Sequence, residues 1–162
     1  MQMRCFKVKE FGKAREVLFS DTCDKPLRGK GELLIAVLAC GITPGDVRMW
    51  SGEVDYMRWP TGGFPYIPLG DIYGIVEEAD EDSQWKRGDR VVSTWEMQGE
   101  GGLCEFVIVV DDQLVRVPPE MSPKAGVALV NSGAYAYHGI HTVARIQANE
   151  RVLILGGSGG KR

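Results

Sequence analysis

The chain has only two histidines and four cysteines in 162 residues, and its cysteines (Cys5, Cys23, Cys40 and Cys104) include no Cys-x-x-Cys pair. That spacing excludes a zinc ribbon. It suits reduced, mostly buried thiols that pack as small apolar side chains, with Cys104, just after two glycines, the one candidate for a reactive thiol. Basic excess is also missing: the net charge is -3. Nucleic acid and anionic membranes are poor partners for such a surface, because both require clustered Lys and Arg. No apolar run reaches the length of a membrane span. The opening Met1 to Lys9 mixes charged and apolar residues where a signal peptide needs a continuous apolar stretch, so a cytosolic protein is expected. Disorder is excluded as well, since hydrophobic residues at 44% and charged residues at 25% are ordinary globular values.

The most informative stretch is the end, Arg151-Val-Leu-Ile-Leu-Gly-Gly-Ser-Gly-Gly-Lys-Arg162. Val152 to Leu155 have no polar alternation, which predicts a strand buried on both faces of a parallel sheet. The glycines that follow fit either a turn that opens a phosphate-holding helix or a flexible linker. A Walker-type loop is excluded by Leu155 and Arg162. The expectation is one domain plus the start of another.

Ahead of this end, short strands are predicted over Met3 to Lys9 (Phe6 and Val8 on one face, Cys5 and Lys7 on the other), Glu16 to Ser20, Glu32 to Ala39, Ile72 to Ala79, Gly88 to Thr94, Gly102 to Val110 and Leu114 to Val117. Asp21 to Gly31 reads as a loop, Pro44 to Gly52 as a short helix and Asp55 to Gly70 as a long, functional loop. Gly74 marks a bend or a close approach. Many short strands with turn residues between them favour a mainly β, partly open barrel over roughly residues 1–120. Ser122-Pro123 supplies an N-cap and a first-turn proline for helix from Lys124 to Gln147, interrupted at Gly126, Gly133 and Gly139. His138 and His141 can share a helix face, without a third metal ligand in view. The tryptophans read as packing, with Trp50 and Trp59 as candidates to line a cleft.

Several strings resemble the medium-chain dehydrogenase/reductase superfamily, in its zinc-free quinone oxidoreductase branch. They are Ala39-Cys-Gly-Ile-Thr-Pro-Gly-Asp46, Phe64-Pro-Tyr-Ile-Pro-Leu-Gly-Asp-Ile-Tyr-Gly74, Gly88-Asp-Arg-Val91, Gly102-Leu-Cys-Glu-Phe-Val107, Ser132-Gly-Ala-Tyr-Ala-Tyr137 and the terminal glycine turn, in the family's order. The resemblance implies a GroES-like substrate-side domain over residues 1–121 and, over 122–162, the beginning of an incomplete Rossmann domain. It implies NADPH as cofactor and a small quinone or activated carbonyl compound as substrate, with a homo-oligomer possible.

By the same resemblance, the family's three catalytic zinc ligands fall on Thr43, Gly70 and Asn131, and the loop for a structural zinc has no counterpart, so no metal site is expected. Cys40 is out of register with the first ligand and should pack into the barrel. Thr43 then stands where a zinc-free reductase hydrogen-bonds substrate or cofactor. Arg48, where relatives carry a tyrosine, is the second candidate to polarise a carbonyl, and Asp46 is expected to orient the loop. Tyr135 replaces a threonine that lies against the nicotinamide ring. Gly156, Ser158, Gly159 and Gly160 are the cofactor-binding candidates, although Arg162 occupies the third glycine of the fingerprint.

Two functions stay open: the substrate-side part of an NADPH-dependent quinone reductase, or a non-catalytic GroES-like binding or dimerising module. Without the helix that follows the glycine turn, the isolated chain is expected neither to hold NADPH tightly nor to reduce quinones. Its apolar end is expected to be disordered, folded back on the barrel or buried in an oligomer.

Overall fold

The fold is given by a computed structural model that describes all residues except 54–62, 69, 95–100 and 158–162. Its centre is a five-stranded antiparallel sheet. In chain order the strands are β1 (Gln2–Val8), β2 (Leu18–Asp24), β3 (Glu32–Gly41), β4 (Asp71–Glu78), β5 (Arg90–Ser93), β6 (Phe106–Val110) and β7 (Val115–Arg116). β1 and β2 form a separate ribbon, and the large sheet runs β6-β3-β4-β5-β7. The two sheets make an open, mainly β body rather than a closed barrel.

β3 and β4 lie inside the sheet and carry near-continuous apolar runs, Leu33 to Leu38 and Ile72 to Val76, which suit strands covered on both faces. Leu33, Ile35, Ile72, Val76, Val91, Val107 and Val109 form the main core. Each such side chain contributes roughly 1.5–3 kcal/mol when fully buried. Gly74 is a close approach: a Cβ there would lie 2.4 Å from Ile35 Cγ2 and 2.6 Å from the Ala36 carbonyl oxygen.

In β1, Met3, Cys5 and Val8 are buried and Phe6 is exposed, with Cys5 packed against Ile67 and the segment before β6. Three expectations need correction. Ala14–Val17 is a helical turn, α1, and the following strand continues through Asp24, since seven consecutive pairs with β1 override the turn-forming character of Asp21 to Asp24. The helix after Ser122 is not broken at its glycines: α3 (Pro123–Ala128) and α4 (Ala134–Tyr137) are joined and extended by π-wound turns at Leu129–Gly133 and His138–Val143. Val152 to Leu155 form no strand and stand exposed, with no neighbouring strand among the described residues to take their backbone hydrogen bonds.

The short helix is as expected. α2 (Pro44–Ser51) starts at an N-cap threonine and stops at Gly52, which takes the left-handed conformation (φ 79°) that favours glycine. Trp50, far from lining a cleft, is buried with Val8, Val17 and Tyr66 in a second core under the ribbon. Trp59 lies outside the described residues.

Candidate active site

β3 and β4 end together, with Cys40 opposite Ile72 and Gly41 opposite Asp71. This places the start of α2, the chain before β4 and the first turns of the helical ramp around one point. Gly70 is pressed against the end of β3: a Cβ at this position would sit 2.3 Å from Cys40 Sγ and 2.9 Å from the Gly41 carbonyl oxygen. Any side chain here would displace backbone, so glycine is a steric requirement at this position. Cys40 packs against the main core. Burial, and then the charges of Asp46 and Asp71, push its thiol up to about 12, which keeps it protonated at neutral pH.

On the other side of this junction lies a buried polar pair. Asn131, in the π-wound turn after α3, donates from Nδ2 to Oδ1 of Asp71 at 3.1 Å, and both residues are almost fully buried. α3 is held close by the same logic as Gly70, since a Cβ at Gly126 would lie 2.4 Å from Tyr73 Cδ2. The pair therefore ties the ramp to the root of β4. Sequence reading placed Asn131 only as an unsuitable zinc ligand and passed over Asp71; the available signal was an acid standing directly at the head of an apolar strand.

Thr43 caps α2 by a capping box. Its backbone N–H and its hydroxyl both donate to Asp46 Oδ2, each at 2.6 Å, and Asp46 N–H donates to Thr43 Oγ1 at 3.4 Å. A hydroxyl has one proton. Here Asp46 takes it, so Thr43 offers a ligand an acceptor oxygen and donates only if that contact opens. Asp46 is buried. Its charge is the secondary cause, after burial, that raises the Tyr66 phenol to about 12, so Tyr66 stays a neutral phenol beside the cap.

The other site candidates lie at the surface. Arg48 is exposed and meets Glu53 at 3.6 Å, an exposed ion pair of low strength. Tyr135 is on α4 and exposed, and the Tyr137 ring lies 4.4 Å from that of His141. Gly156 takes a left-handed φ of 71° in a turn that only glycine adopts without strain; Ser158, Gly159 and Gly160 lie outside the described residues. Cys104 rests as a protonated thiol: its Sγ lies within hydrogen-bonding distance of the carbonyls of Phe106 (3.1 Å) and Gly101 (3.4 Å), and burial raises its pKa strongly. Among the described residues no group of three or more His, Cys, Asp or Glu side chains is arranged to hold a metal ion. No helix among them is long and apolar enough to cross a membrane.

The alcohol dehydrogenase GroES-like domain model matches residues 29–119, more than half of the chain. Over 159 residues the chain is 34% identical to the quinone oxidoreductase of Mus musculus, covering 98% of this chain and 46% of that protein. Among solved structures, AibC superposes with a TM-score of 0.84 at 29% identity, covering 98% of this chain and 50% of AibC. Mycobacterial Rv1454c in complex with NADPH gives 0.74 at 25% identity, covering 91% and 43%. The chain thus spans about half the length of the relatives it matches. Taken with the paired ends of β3 and β4 and the capped α2, these matches establish that the chain belongs to the medium-chain dehydrogenase/reductase superfamily, in its quinone oxidoreductase branch.

Proposed function

We propose that the protein carrying this chain is an NADPH-dependent, zinc-free reductase of quinones or similar activated carbonyl compounds, acting in the cytosol. Residues 1–121 form its substrate-side domain and residues 122–162 begin its nucleotide-binding domain. The observation that carries the zinc-free part is Gly70: the position where a metal-dependent relative supplies a ligand has room for no side chain at all. The identity to quinone oxidoreductases across 98% of the chain supports the substrate class, and the NADPH held by mycobacterial Rv1454c supports the cofactor.

The left-handed glycine turn at Gly156 fits the first bend of a phosphate-binding loop, and Gly156, Ser158, Gly159 and Gly160 would line it. Bound NADPH would supply the hydride. The chain's own residues would do the positioning. Thr43 presents its oxygen from a helix start locked by Asp46, Arg48 can leave its weak pair with Glu53 to face a carbonyl oxygen, and Tyr135 flanks the acceptor from the ramp. Polarisation of the carbonyl then rests on Arg48 and on any proton Thr43 releases from Asp46.

The test is consumption of NADPH by the full-length protein with a panel of quinones, before and after exhaustive treatment with a chelator. Turnover that survives chelation supports the proposal. Turnover that chelation abolishes and zinc restores would refute the zinc-free part, and absence of turnover with every quinone would favour the non-catalytic binding module.

A further inference from the structure

Beside the site just described, three strands bring three thiols into a row. Phe6 N–H donates to the Leu103 carbonyl at 2.9 Å and Glu105 N–H donates to the Arg4 carbonyl at 3.1 Å. These two bonds flank an antiparallel bridge between Cys5 and Cys104 and leave that pair without mutual backbone bonds. It is therefore a non-hydrogen-bonded pair, whose Cα atoms stand about 4.5 Å apart with side chains on the same face. A disulfide accepts Cα separations of about 4.4–6.8 Å, so the two cysteines can be joined without moving either strand. Cys23, on the far side of β1, is opposite Met3 and diagonal to Cys5, although its thiol hydrogen-bonds with that of Cys5. Diagonal pairs are about 7–8 Å apart, at or beyond that range.

The pair is also reachable. Cys5, Cys104 and Cys40 line a cavity of about 400 Å³, with Phe6 and the Arg4–Glu105 ion pair beside them. The cavity walls offer small molecules a route to sulfurs that are otherwise shielded. We propose that Cys5 and Cys104 form a dithiol site that a small organic disulfide entering this cavity oxidises to a cross-strand disulfide, fastening the N-terminal strand to the segment before β6.

The exchange balances in two steps. The Cys104 thiolate attacks one sulfur of the disulfide, forming a mixed disulfide and releasing one thiolate. Cys5 then attacks the Cys104 sulfur and releases the second. Two protein thiols are oxidised, the small disulfide is reduced to two thiols, and the protons lost by the cysteines end on those leaving groups. Burial raises both cysteines, Cys5 to about 12, so the reaction is slow at neutral pH and accelerates as pH rises. At rest both remain thiols.

The full chain would be exposed to bis(2-hydroxyethyl) disulfide from pH 7 to pH 9, quenched by alkylation, and mapped by mass spectrometry. The expected product is an intact chain lighter by one pair of hydrogens, in which the peptide holding Cys5 is joined to that holding Cys104, formed roughly tenfold faster per pH unit. Cys23→Ser should still form it, and Cys104→Ala should not. Because the link closes a loop of nearly the whole β body, the oxidised chain should melt roughly 5 °C higher, reversibly with dithiothreitol. Four alkylated thiols at the highest pH, a link from Cys5 to Cys23 or from Cys40 to Cys104, or a mixed disulfide that never resolves would each overturn the proposal.

Discussion

Ile35 and Ile154 occupy similar apolar runs, Leu33 to Leu38 and Val152 to Leu155, yet Ile35 is fully buried and Ile154 is 63% exposed. The first run has β4 and β6 on its two sides; the second has no strand beside it among the described residues. Local sequence preference is the same in kind for both. What differs is the partner, and a strand whose backbone groups and side chains find none is not formed. The helical ramp lies between these extremes: Gly126 and Asn131 lock its first turns to β4, while Leu129, Tyr135, Tyr137 and Val143 face outward. Along the helical ramp and the residues after it, burial follows packing against β3 and β4.

The largest effect that would test this comparison is Trp50→Ala. Trp50 is buried with Val8, Val17 and Tyr66, so its loss should cost about 3–5 kcal/mol by urea unfolding, enough to unfold a marginal domain. A cost below about 1 kcal/mol would mean that the ribbon and α2 do not form a shared core. Gly70→Ala comes next, at about 1–3 kcal/mol, because the new methyl meets backbone as well as the Cys40 sulfur. Combining it with Cys40→Ala should recover only part of that loss, since the Gly41 carbonyl remains in the way. Full recovery would show that sulfur alone enforces glycine there.

How much of this was legible beforehand follows the same division. β3, β4, α2 and the later part of a longer predicted β6 could be read from Glu32 to Ala39, Ile72 to Ala79, Pro44 to Gly52 and Gly102 to Val110, because each signal is local and each element has its partner in the chain. β2 was only partly legible, since Asp21 to Asp24 look like a loop and are drawn into the ribbon by pairing with β1. Candidate site residues could be named from the sequence, but their contacts could not. That Gly70 presses on Cys40 and that Asp71 holds Asn131 depend on segments 30 and 60 residues apart meeting at one junction, while the proton that Thr43 donates to Asp46 is a contact within one cap. For Trp50 packing and a cleft role both stayed open, because an aromatic residue near a loop carries no mark of which side it faces, and the structure shows packing.

A smaller, reversible effect concerns the edge of the large sheet, where Asp89 accepts hydrogen bonds from Arg116 and the Lys86 backbone, which hold its carboxyl below the usual range. A carboxyl lowered in the folded state stabilises the fold above its unfolded pKa, about 3.9, and that contribution disappears as pH falls through the folded value. Asp89→Asn should therefore flatten part of the stability decline below about pH 4 and change little above pH 8 relative to its own neutral value. An unchanged acid limb would show that the pair is open in solution.

The smallest expected effect is the sharpest test of the comparison. Leu153 is 84% exposed in this chain, so Leu153→Ser should shift its stability by no more than about 0.5 kcal/mol. In the full-length protein, if residues 122–162 begin a nucleotide-binding domain, the same leucine lies in a strand with sheet on both sides, and its replacement should cost about 2–5 kcal/mol and weaken NADPH retention with it. The two measurements are made on one substitution with one denaturant, so host-specific propensities cancel and only the presence of partner strands differs. Equal small costs in both hosts would mean that Val152 to Leu155 are not a core strand anywhere, and the apolar run would lose its place as the start of a second domain. Equal large costs would mean that the isolated chain buries this run against something, and the contrast between Ile35 and Ile154 would fail.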